Sequence, residues 1–148
     1  PQKIEAYPMT TPLFILLGFA GWTLLTLLGG VSILRWRQIL NGTATFTDFP
    51  ADTPHGSPAY RRAMRAHANC LENLPVYGAI VVVITAMGLK LPLLDDLAIG
   101  FMAARIFQTV IHILCTETSL TVALRFLFFF TQIICLIWMG MIAASAAL

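Results

Sequence analysis

Charge is scarce in this sequence: Asp, Glu, Lys and Arg make up 11% of its 148 residues, against about 25% in an ordinary soluble domain. Hydrophobic residues fill 58%, and a chain this short has too much surface for its volume to hide them all from water. A soluble fold is therefore excluded. The charge that exists is not concentrated either. A net charge of +2 spread along the chain lacks the dense basic face that nucleic acid requires. Cysteine is equally sparse. Cys70, Cys115 and Cys135 fall in or beside apolar segments without any C-x-x-C pair, so neither a zinc site nor a dithiol is signalled, and the simplest role for all three is that of small buried hydrophobes. There is no glycine-rich phosphate loop after a strand and no serine elbow. His55 lies in a polar connector while His67 and His112 fall on different helices, so no metal is expected.

What is present is a set of long apolar runs. Thr11-Pro12 places a helix start ahead of the uncharged stretch Leu13 to Leu34, which is long enough for the roughly 20 residues that cross the hydrocarbon. Lys3 precedes this run, but its length and the three similar runs that follow read as a retained span rather than a signal peptide. Arg35, Arg37 and Gln38 end it. Asn41 through Ala59 is a polar connector rich in Pro, Gly, Thr and Asp. Ser57-Pro58 then reads as a cap and first turn, starting a helix that runs to Leu89 with Pro75 bending it. Lys90 to Asp96 reads as a turn. The expected spans are residues 13–34, 71–89 in a helix starting near residue 58, 97–114 and 124–146. The fold class is all-α, an integral membrane four-helix bundle in one domain, residues 1–148. Basic residues gather between Arg35 and Arg65, which places the first and third connectors in the cytoplasm and both termini outside.

Ionisable side chains inside spans face a partner, a cavity or a ligand rather than lipid. Arg65, Asn69 and Glu72 stand at i, i+4 and i+7 on one face of the second helix, with Arg61, Arg62 and His67 crowding the same helix start. Arg105, Gln108 and His112 form a similar face on the third helix, and Arg125 stands near the start of the fourth. Glu72 and Arg105 can meet as a buried ion pair that fixes helix register. Such a pair leaves the other arginines uncompensated, and convergent arginines beside a carboxylate suit a small polyanion that also carries an ammonium group.

The stretch Arg62-Ala63-Met64-Arg65-Ala66-His67-Ala68-Asn69-Cys70-Leu71-Glu72-Asn73-Leu74-Pro75 resembles the second-helix motif of the MAPEG family, the membrane-associated proteins of eicosanoid and glutathione metabolism. Its Arg-Ala-His-x-Asn-x-x-Glu core looks most like the microsomal glutathione transferase and prostaglandin E synthase branches. Chain length, four spans and a polar first connector extend the likeness over essentially the whole chain. The resemblance implies a homotrimer with active sites between neighbouring subunits near the cytoplasmic face. It also implies glutathione as thiol co-substrate, held by Arg65, Asn69 and Glu72. His67 matches a glutathione-contacting position, Arg105 a third-helix arginine, and Arg35 or Arg37 an arginine near the end of the first helix. This chain departs from the family in carrying Gln108 and His112 where tyrosines are common. The start of the fourth helix reads Glu117-Thr118-Ser119-Leu120-Thr121 where a thiol-activating arginine is common, and Arg125 follows at least a turn later.

Two readings of function stand together at this point. One is a membrane-bound glutathione-dependent transferase, with possible peroxidase activity, that stabilises the thiolate for attack on a lipophilic electrophile or lipid hydroperoxide. Arg125 is the first candidate for the thiol contact and Arg105 the second, with Arg65, His67, Asn69, Glu72, Arg35, Arg37, Gln108 and His112 as binding residues. The other is a noncatalytic protein that binds glutathione or lipid. A small channel would need a continuous polar path, which the long uncharged fourth helix opposes. The expected location is a multi-pass position in a bacterial inner membrane rather than the endoplasmic reticulum.

Overall fold

Residues 9–50 and 55–148 are described by a computed structural model of the chain; Lys3, and residues 51–54 of the first connector, lie outside them. Each apolar run has become a helix, and the four helices are α1 (Thr11–Leu40), α2 (Pro58–Ala86), α3 (Pro92–Leu114) and α4 (Ser119–Ala146). All four are long and apolar enough to cross a membrane. They alternate in direction, so the end of α1, the start of α2, the end of α3 and the start of α4 share one end of the bundle. Arg35 meets Tyr60 and Arg62 meets Ile113 there. α2 and α3 each touch both α1 and α4.

Helix ends follow local chemistry more closely than the apolar runs do. Arg35 and Arg37 do not stop α1, which continues to Leu40 and closes where Gly42 takes a φ of 69°. The Gly42 and Thr43 amides donate there to the Ile39 and Gln38 carbonyls. α2 starts at Pro58 under a Ser57 side chain that accepts from the Tyr60 amide at 3.2 Å. It stops at Ala86, short of Leu89, because Gly88 adopts a φ of 65°. α3 begins at Pro92, so Asp95 sits in its first turn rather than in a preceding loop, where a carboxylate complements the helix dipole. α4 begins at Ser119, earlier than its apolar run, because Thr118 and Thr121 form a reciprocal capping box.

α1 is not regular along its length. Residues Thr26–Ser32 form a wide π turn between two α-helical stretches. The Thr23 and Thr26 hydroxyls donate to the Phe19 and Thr23 carbonyls, which competes with the backbone ladder. Gly29 and Gly30 add little resistance to the distortion. A Cβ on Gly30 would stand 3.4 Å from the Ala63 Cβ, so that glycine lets α1 approach α2.

The core is aromatic at its centre. Phe101 stacks on Tyr77 with ring centroids 4.5 Å apart and meets Phe19 edge-on at 5.2 Å, and the Tyr77 hydroxyl donates to the Pro12 carbonyl at 3.0 Å. Cys70 and Cys135 are buried within this core, whereas Cys115, at the end of α3, is partly exposed; all three are free thiols. In the first connector, the Thr45 amide and hydroxyl both donate to Asp48, which holds that carboxyl below the usual carboxylate range.

Candidate functional site

A cavity of about 450 Å³ opens at the arginine-bearing end of the bundle, between α2, α3 and the start of α4. Arg65, Asn69 and Glu72 line it from α2, Gln108 and His112 from α3, Glu117 from the α3–α4 link, and Arg125 from α4. Val122, Phe126 and Phe129 complete it on the α4 side. The wall from α2 and α3 is therefore polar and the wall from α4 is apolar apart from Arg125, with two arginines matched by the carboxylates of Glu72 and Glu117. The volume is in the range of small-molecule sites.

The helical spacing explains the polar wall. Residues 65, 69 and 72 lie on one stripe of α2, and that stripe faces the gap between α3 and α4. Arg65 is exposed and its Nη1 donates to Glu117 Oε1 at 2.9 Å. The same oxygen lies 3.8 Å from Arg125 Nη1, so Glu117 bridges an exposed arginine and a buried one. Arg125 is only 7% exposed, and its Nε and Nη2 have no hydrogen-bond partner. Unpaired guanidinium nitrogens this deep are costly unless a ligand or water completes them. Asn69 Nδ2 donates to His112 Nε2 at 3.3 Å. That bond assigns the histidine proton to Nδ1.

Beneath this wall lies a connected ladder of buried polar groups. Arg105, 1% exposed, donates through Nη1 to Gln108 Oε1 at 3.1 Å. Gln132 Nε2 donates to the same oxygen at 3.1 Å and to the Phe128 carbonyl at 2.8 Å. Gln108 Nε2 donates to the Arg125 backbone carbonyl at 3.2 Å. Asn73 Nδ2 reaches Gln132 Oε1 at 3.4 Å. The Arg105 guanidinium also sits 5.7 Å from the Phe19 ring centroid, a cation–π distance. The ladder ties α2, α3 and α4 together directly under the cavity.

The expected pairing of Glu72 with Arg105 does not occur. Glu72 is exposed on the cavity and has no ion-pair partner among the described residues, while Arg105 is spent on Gln108 and Phe19. The register of the bundle is instead fixed by the amide ladder, which satisfies buried groups without a second buried charge.

Seven of the residues singled out in the sequence thus meet around one volume or directly beneath it: Arg65, Asn69, Glu72, Gln108, His112, Arg125 and Arg105. Three others lie away from it. His67 turns toward α1, its Nδ1 at 3.2 Å from the Thr26 hydroxyl; because that hydroxyl gives its proton to the Thr23 carbonyl, the histidine is the donor. Arg35 donates to the Tyr60 hydroxyl and lies over the Phe49 and Tyr60 rings at 5.3 and 5.6 Å. Arg37 is exposed. Sequence reasoning did not single out Glu117, Gln132, Asn73, Phe126 or Phe129. A signal existed for Gln132, which stands seven residues after Arg125 on one face of an otherwise uncharged helix. None existed for Glu117, because a link residue has no helical phase to read.

No cluster of three His, Cys, Asp or Glu side chains suited to a metal ion occurs among the described residues. The model of the MAPEG family matches residues 16–145 of the chain. No curated protein and no solved structure matches it.

Proposed function

Because this chain belongs to the MAPEG family, we propose that it is a membrane-bound glutathione-dependent transferase acting on lipophilic electrophiles. The observation that carries the reading is the two-sided cavity, with Arg65, Asn69 and the free carboxylate of Glu72 on one wall and phenylalanines beside the buried Arg125 on the other. Glutathione presents two carboxylates, an ammonium group and a thiol. Arg65 suits a carboxylate, gripped in bidentate fashion, with Asn69 beside it, and Glu72 suits the ammonium. Arg125 has nitrogens to spare for the sulfur. A guanidinium beside a thiol favours the thiolate, which is the nucleophile.

The sulfur then attacks an electrophilic carbon, forming a C–S bond as the carbon's leaving group departs with its electron pair. Alternatively it attacks the outer oxygen of a hydroperoxide, breaking the O–O bond to release the alcohol and leave a glutathione sulfenic acid, which a second glutathione converts to the disulfide and water. The apolar wall of Val122, Phe126 and Phe129 receives a substrate arriving through the bilayer. Arg105 acts behind Arg125: through Gln108 it is linked to the Arg125 backbone and positions it. In a homotrimer with sites between subunits, Arg37 rather than Arg35 would reach a neighbour's cavity, since Arg35 is committed to Tyr60. The cationic end of the bundle faces the cytoplasm in this reading.

A noncatalytic holder of glutathione or lipid is the second reading, supported by Glu117, which already occupies Arg65 and approaches Arg125. Ultraviolet difference absorbance of the thiolate on mixing purified protein with glutathione at neutral pH separates the two. The transferase reading expects a stoichiometric signal, lost in Arg125→Ala and weakened in Arg105→Ala. Binding without a thiolate signal makes the holder the correct description. Absence of glutathione binding removes the transferase and leaves the holder only as a lipid-binding protein.

A further inference from the structure

A second, smaller pocket of about 280 Å³ lies beside the cavity, lined by Pro58, Arg61, Arg62, Arg65 and Glu117. We propose that this pocket binds the phosphate headgroup of an anionic phospholipid. The proposed transferase chemistry has no use for Arg61 or Arg62, so the inference is independent of that reading.

The charge balance points to an anion. Three guanidinium groups surround one carboxylate, and that carboxylate is engaged by Arg65 at 2.9 Å. Arg61 is exposed and has neither a hydrogen bond nor an ion pair from its side chain among the described residues. Arg62 donates through Nε to the Ile113 carbonyl at 3.4 Å. That contact fixes its fork against the end of α3 and leaves its Nη groups for a ligand. The pocket also sits at the first turn of α2, whose helix dipole adds to the positive potential.

The surroundings point to a lipid rather than a soluble phosphate. The pocket lies where α2 begins and α3 passes into α4, at the boundary of the membrane-spanning segments. Leu114 and Leu120 flank the link that carries Glu117, and they are 74% and 69% exposed. A free anion has no use for two bare leucines beside its site, whereas acyl chains hanging from a bound headgroup would cover them. Basic pockets between transmembrane helices are a recurrent solution for such headgroups. Arg65 and Glu117 also line the larger cavity, so a headgroup that drew Arg65 away from Glu117 would change the charge presented there.

The test is native mass spectrometry of the purified full chain in detergent, incubated with phosphatidylglycerol or phosphatidylcholine of identical acyl chains. Wild type should retain phosphatidylglycerol preferentially. Each arginine near an anionic headgroup contributes roughly 5-fold in affinity, so Arg61→Gln with Arg62→Gln should reduce retention by about 25-fold, to the level of phosphatidylcholine. Lys90→Gln, which removes a positive charge at the opposite end of the bundle, should leave it unchanged. Millimolar inorganic phosphate should not displace the lipid. Equal retention of the two lipids overturns the proposal, as does an equal loss in Lys90→Gln. Displacement by inorganic phosphate overturns the lipid assignment in favour of a soluble anion. Circular dichroism checks the fold of the double variant, and the exposed single variant Arg61→Gln provides the same readout should the double one misfold.

Discussion

Glu117 is held between Arg65 at its exposed side and Arg125 at its buried side, so its carboxylate competes with any anion for the same nitrogens. The Arg65–Glu117 pair is more than half exposed at both ends, and such pairs contribute about 0–1 kcal/mol to stability. Glu117→Gln is therefore expected to leave the melting temperature nearly unchanged while tightening glutathione binding about 3- to 10-fold by isothermal titration calorimetry. Weaker binding in that variant would instead make Glu117 a ligand contact. The amide ladder behaves in the opposite way. Gln132 is fully buried and bonds to Gln108, Asn73 and the Phe128 carbonyl. Gln132→Leu strands those partners, and a buried unsatisfied group costs about 1–3 kcal/mol. Thermal unfolding in detergent should fall accordingly; an unchanged transition would mean that water replaces the lost amide.

Among the elements, α1 packs tightly on α2 where Gly30 faces Ala63. Gly30→Leu must push Ala63 aside and is expected to destabilise by about 1–3 kcal/mol, the usual range for overpacking. A Cβ added at Gly18 meets nothing within 4 Å in the chain, so Gly18→Leu starts from open space and should leave the unfolding transition in place. Similar losses at both positions would mean that Gly18 is packed in the assembly. The same contrast shows what could be read in advance. Helix existence, and the stripes Arg65–Asn69–Glu72 and Arg105–Gln108–His112, were legible because 3.6-residue periodicity fixes which side chains share a face. The partner of each stripe was not. Glu72 and Arg105 are complementary in charge, yet the depth of Arg105 and the amides of Gln108 and Gln132 decided the outcome. Periodicity says nothing about how far two helices are offset along their axes. The wide turn in α1 was likewise hidden, since Gly29-Gly30 is equally compatible with a regular helix packed closely on a neighbour.

At the level of the whole molecule the two ends are electrostatically unlike. Arg35, Arg37, Arg61, Arg62 and Arg65 face Asp48 and Glu117 at one end, while Lys90 faces Asp95 and Asp96 at the other. An arginine-rich end in the cytoplasm predicts that Thr47→Cys is protected from a membrane-impermeant maleimide in intact cells and becomes labelled after permeabilisation. A cysteine replacing Ser145, at the opposite end, should be labelled without permeabilisation. The reverse pattern would invert the topology. Both ends must also be held in rotational agreement along α1, where Trp22 donates to Thr109 below the wide turn and Arg35 donates to Tyr60 above it. An α-helix advances about 100° per residue, so the turn at Thr26–Ser32 acts as a phase shifter between two halves that would otherwise point to the wrong neighbours. Deleting Gly29 would give a better-formed helix and a worse-assembled protein: one of the two contacts would swing into lipid whichever half stayed in place.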